Sequence, residues 1–316
     1  MSRSLAALVS LWGLTGCLTP VDEGPLDGSV QVQSDGGADS GSADAGRPFI
    51  RIATFNVRRL FDTECESGQC NAGDFEEVYT PTDFEAKVTQ LAAGIRQLDA
   101  DIVVLQEIEN QTCMDALNAK LGDVFPASSL GETGSAGSVD VAVLSRAPIS
   151  KTVRYRMTPI PRADGSLTAF SREFYEVHST ILGREVIAFA AHFRSKSNDD
   201  PSRRLAEAVA AQSIVSKVAS ENLSSLVVLA GDLNDTPGSD PINALETDDL
   251  LYRVARDIPV SEQATYFFNG SGQAIDHVFH AVKAAGAPVP KSTRVVRGTT
   301  GYAGSDHCAL VTDFKP

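Results

Sequence analysis

The sequence predicts an α/β layered domain built on mixed β-sheets. Three observations carry this. Short apolar runs of strand length recur along the chain, two amphipathic helical patterns lie between them, and one pair of strands is joined closely enough to form a hairpin. Buried strands covered by helices read as near-continuous apolar runs, whereas a hairpin adds antiparallel pairing to the same sheet.

The elements follow in order. Phe49 to Phe55 alternates as a half-buried strand does. Thr82-Asp83-Phe84-Glu85 has the form of a capping box, and Phe84, Val88, Leu91, Ile95 and Leu98 then fall on one helical stripe. Asp101 to Leu105 is a short apolar run that reads as a buried strand. Val139 to Leu144, Phe174 to Thr180 and Glu185 to Phe193 are further strands, the last two joined through Gly183. Arg203 to Ala219 is the second long helix. Leu226 to Ala230, Ala274 to Phe279 and Ala309 to Phe314 complete the strands. The alternating neighbourhood of Tyr266-Phe267-Phe268 places that cluster in the core. No repeat of roughly 20–50 residues is present.

The chain has 316 residues, of which 42% are hydrophobic and 22% charged, enough to bury a sizeable core. Its net charge of -14 excludes an architectural nucleic-acid binder that works by bulk neutralisation of phosphates. It leaves room for an enzyme that meets phosphates through a few arginines and a divalent metal. Beyond the N-terminus no apolar run approaches the roughly 20 residues of a membrane span, which excludes a multi-span membrane protein.

The N-terminus reads as address and tether. Arg3 and the apolar stretch Ser4 to Leu14 make residues 1–16 a signal peptide. Leu14-Thr15-Gly16-Cys17 resembles a bacterial lipobox, with Cys17 as the lipidated residue; an ordinary secretory signal with a chance cysteine is the plain alternative. Leu18, in place of Asp, favours the outer membrane in a diderm cell. Residues 17–48 are rich in Gly, Ser and Asp and too poor in large apolar groups to offset ordering entropy, so they form a disordered tether. The expected location is therefore the bacterial cell envelope, lipid-anchored, with residues 49–316 as the folded domain outside the cytoplasm. Of the remaining cysteines, Cys65 and Cys70 flank a short Gly-containing loop and suit a local disulfide. No CxxC or paired His at ligand spacing suggests zinc. Whether Cys113 meets Cys308 stays open.

Polar residues sit where these strands end: Asn56, Gln106-Glu107, His192, Asp232-Leu233-Asn234-Asp235, Asp276, and Ser305-Asp306-His307. A lone Asp after a strand is an ordinary turn or cap residue. Six such ends, all carrying Asn, Asp, Glu or His, are hard to explain as turns. Glu109 and Asp235 read as caps or supporting groups, His277 as a packing residue on the opposite strand face from Asp276. Arg203 and Arg204 open a helix, where cations oppose the macrodipole.

Thr54-Phe55-Asn56-Val57, Leu105-Gln106-Glu107-Ile108, Ser171-Arg172-Glu173-Phe174, Ala191-His192-Phe193, Gly231-Asp232-Leu233-Asn234-Asp235, Ile275-Asp276-His277-Val278 and Ser305-Asp306-His307, in this order, resemble the endonuclease/exonuclease/phosphatase family of pancreatic-deoxyribonuclease-like metal-dependent phosphoesterases. The resemblance spans residue 49 to the C-terminus. It implies a four-layer α/β sandwich in which two mixed sheets pack face to face and helices flank them. It also implies Mg²⁺ as cofactor (Mn²⁺ or Ca²⁺ as alternatives), with Glu107 as principal ligand assisted by Asn56 and Asp306. Asp232 and Asn234 would position the attacking water and a phosphoryl oxygen. Asp276 would hold the imidazole of His307, His192 would share acid and base work, and Arg172 would contact phosphate.

The expected activity is a phosphodiesterase, foremost a nuclease binding nucleic acid through its backbone, with a phosphatase or sphingomyelinase-type phosphoesterase as the alternative. The expected chain is a monomer that meets the membrane through its anchor alone. Cys17→Ser should move the protein from the membrane fraction to the soluble fraction on sedimentation; a protein that still sediments with membranes would refute the anchor.

Overall fold

The computed structural model describes residues 48–316; the expected signal peptide, Cys17 and the tether up to residue 47 lie outside the described residues. The described chain begins with β1 (Ile50–Leu60), α1 (Pro81–Leu98), β2 (Ile102–Ile108) and α2 (Gln111–Leu121). Three strands follow, β3 (Ala127–Gly131), β4 (Asp140–Ser145) and β5 (Ile149–Arg154), then the small pair β6 (Ile160–Pro161) and β7 (Leu167–Thr168). Next come β8 (Tyr175–Ile181), β9 (Arg184–His192), α3 (Pro201–Glu221), β10 (Leu226–Asp232), α4 (Asp240–Glu246) and β11 (Leu251–Arg253). A second small pair, β12 (Tyr266–Phe268) and β13 (Ser271–Gln273), precedes β14 (Asp276–Ala281), β15 (Arg294–Val296) and β16 (Ala309–Phe314).

Two six-stranded sheets form, ordered β15-β16-β1-β2-β4-β3 and β11-β14-β10-β9-β8-β5. Both are mixed. β1 pairs parallel with β2 and antiparallel with β16, and β10 pairs parallel with β9 and antiparallel with β14. Alternation along each strand then divides the apolar residues among three cores. Ile50 and Ile52 of β1 join Leu226, Val228 and Ala230 of β10 between the sheets. Ala53, Phe55 and Val57 face α1 and α2 on one outside, and Val227 and Leu229 face α3 and α4 on the other. Strands buried on both faces have no polar face to show, which is why they read as continuous apolar runs. The arrangement is the expected four-layer sandwich with helices outside. No helix of the described residues is long and apolar enough to cross a membrane.

Local differences from the sequence reading have local causes. α1 is capped by Thr80, whose hydroxyl accepts the Asp83 N–H at 3.1 Å, two residues ahead of the expected Thr82. Pro81 explains the shift, because proline suits the first turn, where its missing N–H has no partner to lose. Tyr266-Phe267-Phe268 is not core: on the short β12–β13 hairpin Phe267 and Phe268 are 44% and 55% exposed. Their alternation is that of a two-stranded ribbon without a layer to cover it. The Gly183 hairpin forms as expected, with Leu182 and Gly183 both at positive φ. The Cys65–Cys70 disulfide is present, with Cα atoms 6.1 Å apart, whereas Cys113 and Cys308 are free and buried.

Gly231, just before the end of β10, illustrates how tightly β9 and β10 approach. A Cβ there would lie 1.9 Å from the Ala191 carbonyl oxygen on the neighbouring strand. Gly231→Ala should therefore force the two strands apart and lower the Tm by about 5 °C, the scale of a ~2 kcal/mol strain in a domain of this size. Thermal unfolding followed by circular dichroism tests this; an unchanged Tm would show that the strands separate freely.

Candidate active site

The alternation that builds the inter-sheet core also builds the site. Continuing the inward-facing positions in steps of two brings β1 from Ile52 through Thr54 to Asn56. The same step takes β10 from Ala230 to Asp232 and β9 from Ala190 to His192. Asp276 of β14 and His192 of β9 are the register partners of Asp232 on either side. The ends of the two sheets thus converge on one buried carboxylate. Asn56 closes the gap between sheets: its amide nitrogen donates to Glu107 Oε1 and to Asp232 Oδ2, each at 3.1 Å.

Glu107 reaches this group by a different route. Straight alternation would turn it outward, since its neighbour Gln106 points inward and locks β2 to β1 through Thr54 Oγ1 at 3.1 Å. The ladder shifts register between Gln106 and Ile108, and Glu107 adopts φ 69°. Such a bulge re-aims a side chain at a strand end. The Glu107 carboxylate then accepts the Arg59 N–H at 2.8 Å. Arg58, Arg59 and Asn234 are also at positive φ, so the rim is built from backbone conformations that L-residues rarely adopt.

His307 enters from the loop before β16. Its Nδ1 pairs with Asp276 Oδ2 at 2.8 Å, its Nε2 lies 4.0 Å from Asp232 Oδ2, and the Tyr266 ring packs over it at 4.9 Å between centroids. The Thr265 hydroxyl accepts the backbone N–H of Ile275 and Asp276 and so fixes the start of β14. Burial lowers the basicity of His307, but the opposing Asp276, aided by Asp232 and Asp306, outweighs it and pushes the imidazole up to about 10. His192 behaves oppositely. Burial, then Arg172 and His307, hold it well below the ordinary histidine range, and its Nδ1 has no hydrogen-bond partner. Its Nε2 faces Asp232 at 3.7 Å and Glu107 at 4.0 Å. Asp232 is raised by burial and by Asp276, against the lowering effect of His307.

A cavity of about 1140 Å³ opens over this group, lined also by Arg172, Asn234 and Asp306. Arg172 makes no ion pair among the described residues; its guanidinium reaches only the Phe193 carbonyl, at 3.5 Å. Asn234 donates its amide to Phe193 O and its N–H to Asp232 Oδ1. Asp306 is more open and lies 3.6 Å from Arg58. Asn56, expected as a metal ligand, presents its amide nitrogen to the carboxylates, while its oxygen accepts the Arg58 N–H at 2.9 Å. Glu107, His192 and Asp232 each offer a ligand atom within 4.8 Å of the others, as do Asp232, Asp276 and His307. The first set, with two carboxylates, an imidazole and no cation among them, fits a divalent ion.

Two contributors carried no signal in the sequence. Lys87 lies on α1, where nothing distinguishes it from a solvated lysine. In the structure it lines the cavity, donates to the Arg58 and Arg59 carbonyls, and is brought down to about 8 by burial and by Arg58. Tyr266, assigned to the core, packs on His307 instead. Arg203 and Arg204 prove structural: Arg204 is buried against Asp235 at 2.8 Å and Asp199 at 2.6 Å.

The family model described as Endonuclease/Exonuclease/phosphatase family matches residues 53–307. The chain belongs to this family. Membership implies a hydrolase acting on phosphoester bonds, and enzymes of this family are typically divalent-metal dependent. Solved structures agree in fold. Truncated Caenorhabditis elegans TDP2 is 14% identical with TM-score 0.61, over 85% of this chain and 98% of that one. The human Nocturnin catalytic domain with bound sulfate anion is 16% identical with TM-score 0.57, over 85% and 94%. D. rerio TDP2 complexed with single strand DNA product is 14% identical with TM-score 0.59, over 85% and 100%. No curated protein matches the chain.

The coupling of His307 to Asp276 can be read by titration. A histidine whose pKa is raised on folding contributes stability that is complete below about 6.5 and lost as pH rises through its folded value, here about 10. Asp276→Asn removes the largest raising influence, so the imidazole should titrate at least about 2 units lower by NMR. An unchanged titration would mean that Asp276 does not control the ring.

Proposed function

We propose that the protein is a divalent-metal-dependent phosphodiesterase, foremost a nuclease, carried on a lipid-anchored tether at the bacterial cell envelope. The observation that carries the phosphoester reading is Arg172. A mostly buried guanidinium without a carboxylate partner, facing a cavity beside Glu107 and Asp232, needs an anion to complete its hydrogen bonds. A phosphate ester supplies one. Arg58, Arg59, Lys87 and Lys196 around the same cavity add local positive charge to an acidic chain, which suits backbone-led binding of a polyanion.

In this reading Glu107 would hold the ion, Mg²⁺ foremost, beside Asp232 and His192, Asp306 would assist from the cavity wall, and Asn56 spans Glu107 and Asp232 to keep them in register. When bound, the ion neutralises charge on the phosphoryl oxygens. Asp232, with its raised pKa, takes a proton from water as the water oxygen bonds to phosphorus and the ester oxygen leaves. His307, held protonated by Asp276, donates a hydrogen bond to the developing charge. His192 stays neutral and adds no cation beside Arg172. Asn234 orients Asp232 through its N–H. The single-strand DNA product in the D. rerio TDP2 structure supports a nucleic-acid substrate by analogy of fold.

One observation favours a second reading. Exposed Phe267 and Phe268 sit on the hairpin whose Phe268 also lines the cavity, as a phosphoesterase working at a lipid surface would require. A substrate panel of plasmid DNA, RNA, inositol phosphates and sphingomyelin, run with and without EDTA, separates the two. Nucleic acid should be cleaved, with EDTA abolishing turnover, and Glu107→Gln and His307→Gln should each lower kcat/KM by about 10²–10⁴-fold. Cleavage confined to sphingomyelin would select the lipid reading, and near-normal rates in either variant would refute the site.

A further inference from the structure

Beside the main cavity lies a smaller pocket of about 160 Å³, and Phe75, Val139 and Arg172 line both. Arg156 and the hydroxyl residues Thr133, Ser135, Ser138 and Ser171 complete its wall, and no carboxylate lines it. The pocket is well below the roughly 300 Å³ at which drug-sized ligands begin to fit. Its size suits one small polar group, not a second sugar and base.

Two guanidinium groups share this wall without an acid between them. Neither Arg156 nor Arg172 forms an ion pair among the described residues. Arg156 Nη1 donates to the Thr133 carbonyl at 3.3 Å, and its Nε is buried with no hydrogen-bond partner. A carboxylate is close in the chain but engaged elsewhere: Glu173 Oε1 accepts the backbone N–H of Tyr155 at 2.7 Å and of Arg156 at 2.8 Å. Those bonds tie the segment after β5 to the residue that follows Arg172, and so bring the two cations to a common wall. The Thr133 hydroxyl donates to Ser138 Oγ at 2.9 Å, and Ser138 donates to Asp140 Oδ2 at 3.3 Å, which fixes the opposite loop. Half-buried cations side by side repel one another and leave N–H groups unmatched. An oxyanion relieves both costs.

We propose that this pocket is a second phosphate subsite, which takes the phosphate next to the scissile one on a substrate strand. The inference rests on the phosphodiesterase reading above. A phosphate presents several acceptor oxygens and a full negative charge, the match for planar guanidinium forks. Arg172 lines both compartments, so a strand with its scissile group in the main cavity meets the small pocket directly beside it. The subsite therefore favours a substrate with consecutive phosphates over an isolated diester. Sphingomyelin, with a single phosphate, would leave it unused.

The test compares three substrates of the full chain in Mg²⁺: thymidylyl-thymidine, which has one phosphodiester, and the same dinucleotide carrying a terminal 5′- or 3′-phosphate. One of the two terminal phosphates should lower KM about tenfold, the scale of a charge-assisted pair of hydrogen bonds, with kcat changed far less. Arg156→Ala should erase that advantage. Ser135→Glu, an exposed change that folding tolerates, sets a carboxylate against Arg156 and should erase it as well; thermal melting checks that both variants are folded. The proposal is overturned if neither terminal phosphate lowers KM in the wild type, or if either folded variant keeps the wild-type advantage. Cleavage of thymidylyl-thymidine without any such effect would remove the subsite and leave the phosphodiesterase reading standing. Failure to cleave all three would remove that reading, and calorimetry in EDTA then reads the pocket by itself. Binding about tenfold tighter for one phosphorylated dinucleotide, lost in Arg156→Ala, would sustain the subsite, and equal or absent binding would overturn it.

Discussion

The structure depends on one buried carboxylate at the seam between two sheets. Asp232 continues the inward face of β10 past the last apolar residue, into a place where the sandwich still excludes water. A charge there is tolerable only if donors and cations converge on it. The Asn56 amide comes from the facing sheet, the Asn234 N–H from its own turn, and His307 from the loop before β16. Asp276 makes the imidazole a cation and at the same time adds a negative charge beside Asp232. With Glu107 also at hand the cluster carries more negative charge than its own residues neutralise, which is the electrostatic setting a divalent ion and a phosphate ester fit together.

Rigid layers make that arrangement affordable. Non-glycine residues at positive φ cost free energy, and Arg58, Arg59, Glu107 and Asn234 gather at one rim. Arg58 and Arg59 lie near the end of β1, Glu107 near the end of β2, and Asn234 just past β10, all strands packed on both faces, so the three cores supply the stabilisation that holds the rim in place. Gln106 is part of this support. It spends its amide on Thr54 across the β1–β2 pair and leaves the next residue to turn into the cavity.

The chain is acidic overall and locally basic, and the contrast bears on its partners. Arg172 lines the cavity together with Arg58, Lys87 and Lys196. The aromatic groups Phe75, Tyr79, Tyr266 and Phe268 line the same cavity. A ligand there meets cationic groups and aromatic rings together, a combination open to a nucleobase or to a lipid chain. That ambiguity belongs to the physics of the rim, because both ligands present a flat or flexible apolar body attached to a phosphodiester.

Much of the fold was legible in one dimension. Strands buried on both faces must be apolar throughout, and Val227 to Ala230 or Val103 to Leu105 announce themselves for that reason. Polar residues at the ends of such strands, from Asn56 to His307, stood out because nothing in a turn requires so many ionisable groups at sheet ends. Tertiary structure alone decided the rest. The bulge that brings Glu107 inward, the pairing of Asp276 with His307, the burial of Lys87 and the exposure of Phe267 and Phe268 depend on register and on which layer covers which face. Those are contacts between residues far apart in the chain, and local pattern holds no record of them.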